Sequence, residues 1–100
     1  MQDGSNFNLI SKIANEDVDK LVKAQESYGD SWRSRGGVGA FMMLARKWDR
    51  IENQVTKDGY NIFDTIYNDP SSTGILDDIR DLRRYLLLVE GFMSNGENFD

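Results

Sequence analysis

The chain has 100 residues, of which 39% are apolar and 29% charged, and its 12 basic and 17 acidic side chains give a net charge of −5. It contains no histidine and no cysteine, which excludes Ser-His-Asp and Cys-His catalysis, thiolate or imidazole metal sites, haem ligation and disulfides. No apolar run approaches the roughly 20 residues that a membrane span needs, and no signal segment opens the chain. We therefore expect a single cytoplasmic domain without a membrane partner, in which any chemistry uses carboxylates, Lys, Arg, Tyr or an oxygen-bound metal.

Helical periodicity dominates the sequence, and no strand-type alternation of useful length occurs. The predicted segments, in chain order, are one helix or two abutting helices over 8–27, a loop over 30–37, a helix over 37–56, a short helix over 61–67, and a last helix from Ser71 or Ser72 to about Met93. Gly29 and the Asp58-Gly59 pair end the first two helical segments, and Asn68-Asp69-Pro70 turns the chain. Residues 1–6 and 94–100 are expected to be frayed tails. We predict an all-α, compact bundle of four to five helices.

The last predicted helix is apolar nearly all round near its centre. Leu76, Leu87 and Leu88 lie away from its main apolar stripe, so the helix is expected to be buried on more than one side. A chain of this length has a modest core of its own, and a second protomer would cover the extra surface. Contact with the first helix is the alternative. We predict a homo-oligomer, at least a dimer at micromolar concentration.

Basic side chains are concentrated in one segment of this acidic chain. Residues 31–50 have a net charge of +4, whereas residues 1–30 have −3 and residues 51–100 have −6. A general nucleic-acid binder needs a broad basic face, so this segregation favours a small anionic ligand. The alternative is a solvated charge cluster without a ligand.

Four carboxylates lie at helix positions that call for a partner. On a helical wheel Asp49 and Glu52 share an arc with apolar residues of the second main helix, namely Val38, Phe41, Met42, Ala45, Trp48 and Val55. Asp78 and Asp81 border the aliphatic stripe of the last helix. Because a buried, unpaired carboxylate costs several kcal/mol, these acids require either Arg or Lys partners or a divalent metal ion. The i, i+3 spacing places both members of each pair on one face, as Mg²⁺ or Mn²⁺ ligands need.

The same acids carry a family resemblance. The D-x-x-E pattern at 49–52, followed by D-x-x-D at 78–81, resembles a variant of the all-α, MazG-like nucleoside triphosphate pyrophosphohydrolases, in which two such pairs hold Mg²⁺ against phosphates. Two of the four positions carry Asp in place of Glu, which shortens the ligand arms. The stretches 28–53 and 77–88 resemble the small helical domain of phage and bacterial proteins called nucleotide modification associated domain one. The resemblance implies a nucleotide ligand and Mg²⁺ or Mn²⁺ bound by Asp49, Glu52, Asp78 and Asp81.

The resemblance also gives roles to the basic segment. Arg33 and Arg35 precede a helix N-terminus rich in glycine, including Gly36 and Gly37, where free N–H groups and the helix dipole favour phosphate. The remaining candidate ligand-binding residues are two aromatic side chains for base stacking, three basic side chains, and a hydroxyl for phosphate or metal-bound water: Tyr28, Trp32, Arg46, Lys47, Arg50 and Tyr85. The alternatives are a plain flexible turn for the glycine segment and core packing for the aromatic residues.

Three functions remain open from the sequence. The first is Mg²⁺-dependent nucleotide pyrophosphohydrolysis, in which the carboxylates hold the metal and arginine holds the phosphates. The second is a non-catalytic sponge that sequesters a nucleotide, including a cyclic nucleotide signal of antiphage defence, in the host cytoplasm if the chain is phage-encoded. The third is a structural helical adaptor. We predict nucleotide binding and leave hydrolysis undecided.

Overall fold

The computed structural model describes residues 2–68 and 74–95, with side chains from residue 6 onward. These residues form four α-helices and one short 3₁₀ helix: α1 (Gln2–Tyr28), a 3₁₀ turn (Ser31–Arg33), α2 (Gly36–Thr56), α3 (Ile62–Asn68) and α4 (Gly74–Ser94). No strand occurs within the described ranges, and the all-α prediction is confirmed. The predicted turn at 68–70 and the predicted cap at Ser71 or Ser72 lie wholly or partly outside the described residues.

The chain divides into two units, Met1–Ser34 and Arg35–Asp100. In the first unit α1 is one continuous helix that passes through Asn15 and begins six residues earlier than predicted. Gly29 ends it as expected: its backbone is left-handed, with φ +60°, and its N–H donates to the Gln25 carbonyl over 2.8 Å. A left-handed glycine directly after the last helical turn is a common way to satisfy the final carbonyls of a helix.

The second unit is built on the packing of α2 against α4. Ile51, Val55 and Ile75 form its buried core, and the side chains of Ile66, Ile79 and Leu82 pack against them. Arg50 and Gln54 of α2 donate hydrogen bonds to Asp78 of α4. Lys47, which comes earlier in α2, lies over Tyr85, which comes later in α4. Because residue numbers fall along α2 as they rise along α4, the two helices are antiparallel. This arrangement places the centres of both helices side by side.

The turn after α2 has the geometry of a Schellman motif. Gly59 and Tyr60 are both left-handed, with φ +64° and +67°. The Tyr60 N–H donates to the Val55 carbonyl over 2.9 Å, and the Gly59 N–H donates to the Thr56 carbonyl over 3.3 Å. Two of the last carbonyls of α2 therefore keep hydrogen-bond partners. The Asn61 side chain then accepts a hydrogen bond of 3.1 Å from the Phe63 N–H at the beginning of α3.

Two glycine substitutions are expected to change stability in opposite directions. Gly59→Ala should lower the free energy of unfolding by about 1 kcal/mol, because an L side chain is strained in the left-handed region. Gly91→Ala should raise it by about 0.5–1 kcal/mol, because Gly91 lies in α4 with no positive φ and with no atom within 4 Å of the added Cβ. Urea denaturation followed by circular dichroism measures both changes, and equal shifts would contradict the assigned backbone conformations.

The predicted core face of α2 is wrong. Val38, Phe41, Met42 and Trp48 were expected in the core, and all four are exposed. Val55, which was also expected there, is buried, and the other buried residues of α2 are Ala40 and Ile51. This helix has apolar residues on two adjoining sides, and the prediction chose the side with the bulkier side chains, whereas α4 packs against the side that carries Ile51 and Val55.

Candidate functional site

A buried carboxylate is the centre of the α2–α4 contact. The Asp78 side chain is only 6% exposed. Arg50 donates from Nε to its Oδ1 over 2.8 Å, and Gln54 donates from Nε2 to its Oδ2 over 2.5 Å. Both carboxylate oxygens therefore have a partner from α2. Of the two options for the predicted carboxylates, Arg or Lys partners or a metal ion, Asp78 follows the first.

Arg50 extends from this contact into solvent. Its side chain is 70% exposed, and its hydrogen bond to Asp78 raises the pKa of the guanidinium above its already high ordinary value. Attraction to Asp78, and more weakly to Asp81, adds to the same shift. The Arg50 guanidinium is therefore fully charged at physiological pH, and one side of it stays accessible while its Nε is held by the carboxylate.

Tyr85 and Lys47 form a second contact between the same two helices. The Lys47 Nζ lies 5.6 Å from the centroid of the Tyr85 ring, a distance at which an ammonium ion is attracted to an aromatic face. Tyr85 is buried, and burial raises the pKa of its hydroxyl above the ordinary value of 10. The folded state thus favours the protonated phenol, so this group's contribution to stability is complete below pH 10 and is lost as the pH rises through the raised pKa.

The other three predicted metal ligands are exposed. Asp49 and Glu52 lie on the solvent side of α2, which corrects the prediction that they point into the core, and Asp81 is exposed on α4. Among the described residues, no group of three or more carboxylates is arranged to hold a metal ion. Asp78 already accepts hydrogen bonds from Arg50 and Gln54, and the other three carboxylates are not grouped around it. The residues do not fit a four-carboxylate magnesium site in this arrangement.

The N-terminus of α2 is electropositive and open. Arg35 occupies the N-cap position without a side-chain capping hydrogen bond, and the first turn contains no acidic residue. Gly36 has φ +73°, a backbone conformation that favours glycine, and a Cβ added at Gly36 or Gly37 would meet no atom within 4 Å. A ligand can therefore approach the backbone N–H groups of this turn closely.

Gly39 limits the position of Arg35. A Cβ atom at residue 39 would lie 2.6 Å from the Cβ of Arg35 and within 4 Å of its Cγ and Cδ. Only a residue without a side chain fits there without a shift of the backbone. The stem of Arg35 thus lies against the first turn of α2 in the space that Gly39 leaves.

The remaining predicted ligand-binding residues are distributed over both units. In the first unit Tyr28 is exposed at the end of α1, Trp32 is half-buried in the 3₁₀ turn, and Arg33 forms an ion pair of 3.0 Å with Asp30. In the second unit Arg46 is exposed on α2. Lys47 and Arg50 contact α4, as described above.

Sequence reasoning missed two polar residues, one in each unit. Gln54 follows Arg50 by one helical turn, and that spacing was the available signal that both reach the same acid. Asp17 of α1 is only 1% exposed, and it lies four residues after Ile13 and four before Leu21, which are both half-buried. An acid in register with two apolar neighbours is the pattern that would have identified it.

In the part of the chain that the structure describes, no helix has the length and apolarity to cross a membrane. Comparison with known proteins adds no relative: no family model, curated protein or solved structure matches the chain.

Proposed function

We propose that this protein binds a nucleotide through its phosphates at the N-terminus of α2 and holds it without hydrolysis. The observation that carries the proposal is the uncapped first turn of α2, with Arg35 at its N-cap and no acid among its residues. A helix N-terminus with free N–H groups attracts phosphate, and an adjacent guanidinium adds charge-assisted hydrogen bonds.

The open backbone at the same turn supports this assignment. Gly36 and Gly37 leave space where side chains would otherwise keep a ligand away from the N–H groups. The local charge points in the same direction, because residues 31–50 have a net charge of +4 within a chain of net charge −5. The resemblance to nucleotide-handling domains supplies the ligand class.

The contacts of Asp78 favour sequestration over hydrolysis. Metal-dependent hydrolysis by the predicted carboxylate set needs an Asp78 with oxygen lone pairs directed at a metal. Here Arg50 and Gln54 donate to both of its oxygens, and the Asp49–Glu52 pair lies on the solvent side of α2. A sponge for a nucleotide signal needs the arginine and the helix end, and it needs no metal-bound water.

A nucleotide panel analysed by mass spectrometry tests the proposal. The full chain is incubated with linear nucleoside mono-, di- and triphosphates and with cyclic dinucleotides, with and without Mg²⁺, and the bound fraction is released by denaturation. We expect an unchanged nucleotide to be recovered from the protein in both conditions. Monophosphate plus pyrophosphate formed only with Mg²⁺ would favour the hydrolase instead, and the absence of any bound nucleotide would contradict nucleotide binding altogether.

A further inference from the structure

One side of α2 is an apolar surface that the second unit leaves open to solvent. Its large members are 53% to 78% exposed, and the residues that line it are Val38, Phe41, Met42, Ala45 and Trp48, hereafter the α2 apolar face. The spacing of three and four places them on one side of the helix, centred on Ala45 and adjoining the side that buries Ile51 and Val55. Contiguous exposed apolar surface of this kind marks an interaction site more often than a solvated one.

We propose that the α2 apolar face pairs with the same face of a second copy of this chain, with the two α2 helices antiparallel and centred on Ala45. The small side chain at the centre allows two helix axes to approach closely, and Phe41 and Trp48 on either side of it supply large apolar groups to the contact. An antiparallel pair sets Val38 of one copy opposite Glu52 of the other.

Charge complementarity selects both the partner and the orientation. Asp49 and Glu52 continue the α2 apolar face at its C-terminal end, where they are exposed. The opposite end of the same helix has Arg35 at the N-cap, no acid in its first turn, and the positive end of the helix dipole. Antiparallel pairing brings the acids of each copy beside the positive end of the other. Parallel pairing would place acids beside acids and Arg35 beside Arg35, which is repulsive.

The pairing and the proposed phosphate site share the positive end of α2. The N–H groups of the first turn point along the helix axis, whereas Glu52 of the second copy would approach Val38 from the side and bring negative charge near them. Pairing therefore does not require nucleotide binding and is expected to weaken it. The leucines of α4 are the competing surface, because Leu76 and Leu87 are 46% and 41% exposed and were the basis of the predicted oligomer.

Cysteine cross-linking tests the orientation without background, because the chain has no cysteine of its own. Val38→Cys and Glu52→Cys chains are mixed at micromolar concentration, treated with a mild oxidant, and analysed by intact mass. We expect the mixed disulfide between the two variants to dominate, since facing positions bring the sulfur atoms within bonding reach. Disulfides formed only between identical variants would contradict the antiparallel arrangement, and so would the absence of any disulfide.

Sedimentation equilibrium tests the location of the contact with a matched pair of phenylalanines. Phe41→Glu should raise the dimer dissociation constant by about 100-fold or more, because the change occurs twice in a two-fold interface. Phe63→Glu is the control: Phe63 is 76% exposed, compared with 65% for Phe41, but lies on α3. Both positions are exposed, so folding is expected to persist, and circular dichroism verifies it. A native chain that sediments near 11.4 kDa, or dissociation caused by Leu87→Glu and not by Phe41→Glu, would overturn the proposal.

Discussion

Replacing Asp78 with alanine is expected to lower the free energy of unfolding by about 2–4 kcal/mol, a large part of the stability of a small domain. The substitution removes the acceptor of two hydrogen bonds from α2 and leaves a space in the α2–α4 contact. The Gln54 Nε2 then loses its nearest hydrogen-bond acceptor. Arg50 stays hydrated because its side chain is mostly exposed, so the loss falls below that for a fully buried ion pair.

Asp77→Ala is the matched control for this experiment. Asp77 also accepts a hydrogen bond from an arginine, at 2.7 Å from the Arg80 Nη1, but its side chain is 57% exposed. Exposed ion pairs contribute little, so this change should stay within about 0.5 kcal/mol. Urea denaturation measures both variants. Equal losses would show that the burial of Asp78 has no energetic effect, and a gain in stability for Asp78→Ala without metal would indicate a metal-ligand role, since removing one of several clustered carboxylates relieves repulsion.

Arg35→Ala is expected to weaken nucleotide binding by about 10-fold or more. A charge-assisted contact between a guanidinium and a phosphate contributes about 1.5–3 kcal/mol, which corresponds to that range of affinity. The melting temperature without ligand should change little, because the residue lies at a helix end and not in the Ile51–Val55–Ile75 core. Isothermal titration calorimetry with the nucleotide recovered from the panel measures the change.

Two comparisons make the arginine test specific. Arg80→Ala, on the exposed surface of α4, should leave the affinity unchanged. The effect of Arg35→Ala should shrink for a nucleoside that lacks phosphate, because the base and sugar do not depend on the guanidinium. Arg33→Ala extends the test to the other predicted phosphate ligand, which the structure pairs with Asp30. If both the Arg33→Ala and the Arg35→Ala variants bind the nucleotide with native affinity, the phosphate site does not lie in this segment.

Local sequence signals predicted the helices well. Gly29 and Gly59 end α1 and α2 because each takes the left-handed conformation that glycine adopts without strain. The apolar stripe of α4 was also predicted correctly at Ile75, Ile79 and Leu82, which recur at intervals of three and four residues and pack in the core. These features depend on neighbours within one or two helical turns, and such neighbours are visible in a sequence.

The orientation of α2 was not predictable in the same way. Both of its sides carry apolar residues, and the choice between them depends on which side fits α4, a contact between residues about 25 positions apart in the chain. The same long-range contact decides the partner of Asp78. The sequence required that this acid have a partner, and it left arginine and metal both open, whereas the antiparallel packing brings Arg50 and Gln54 to it.

The close approach of Gly39 to Arg35 allows the effect of the arginine's charge to be measured separately from the effect of its position. Arg35→Ala removes the guanidinium and keeps the course of the backbone. Gly39→Ala retains the guanidinium, yet its new methyl group would lie 2.6 Å from the Cβ of residue 35 and must push that residue aside. Because the conflict is with Cβ, it arises for any residue at 35 except glycine. The presence or absence of one methyl group a helical turn away therefore decides where residue 35 can lie, independently of what the arginine binds.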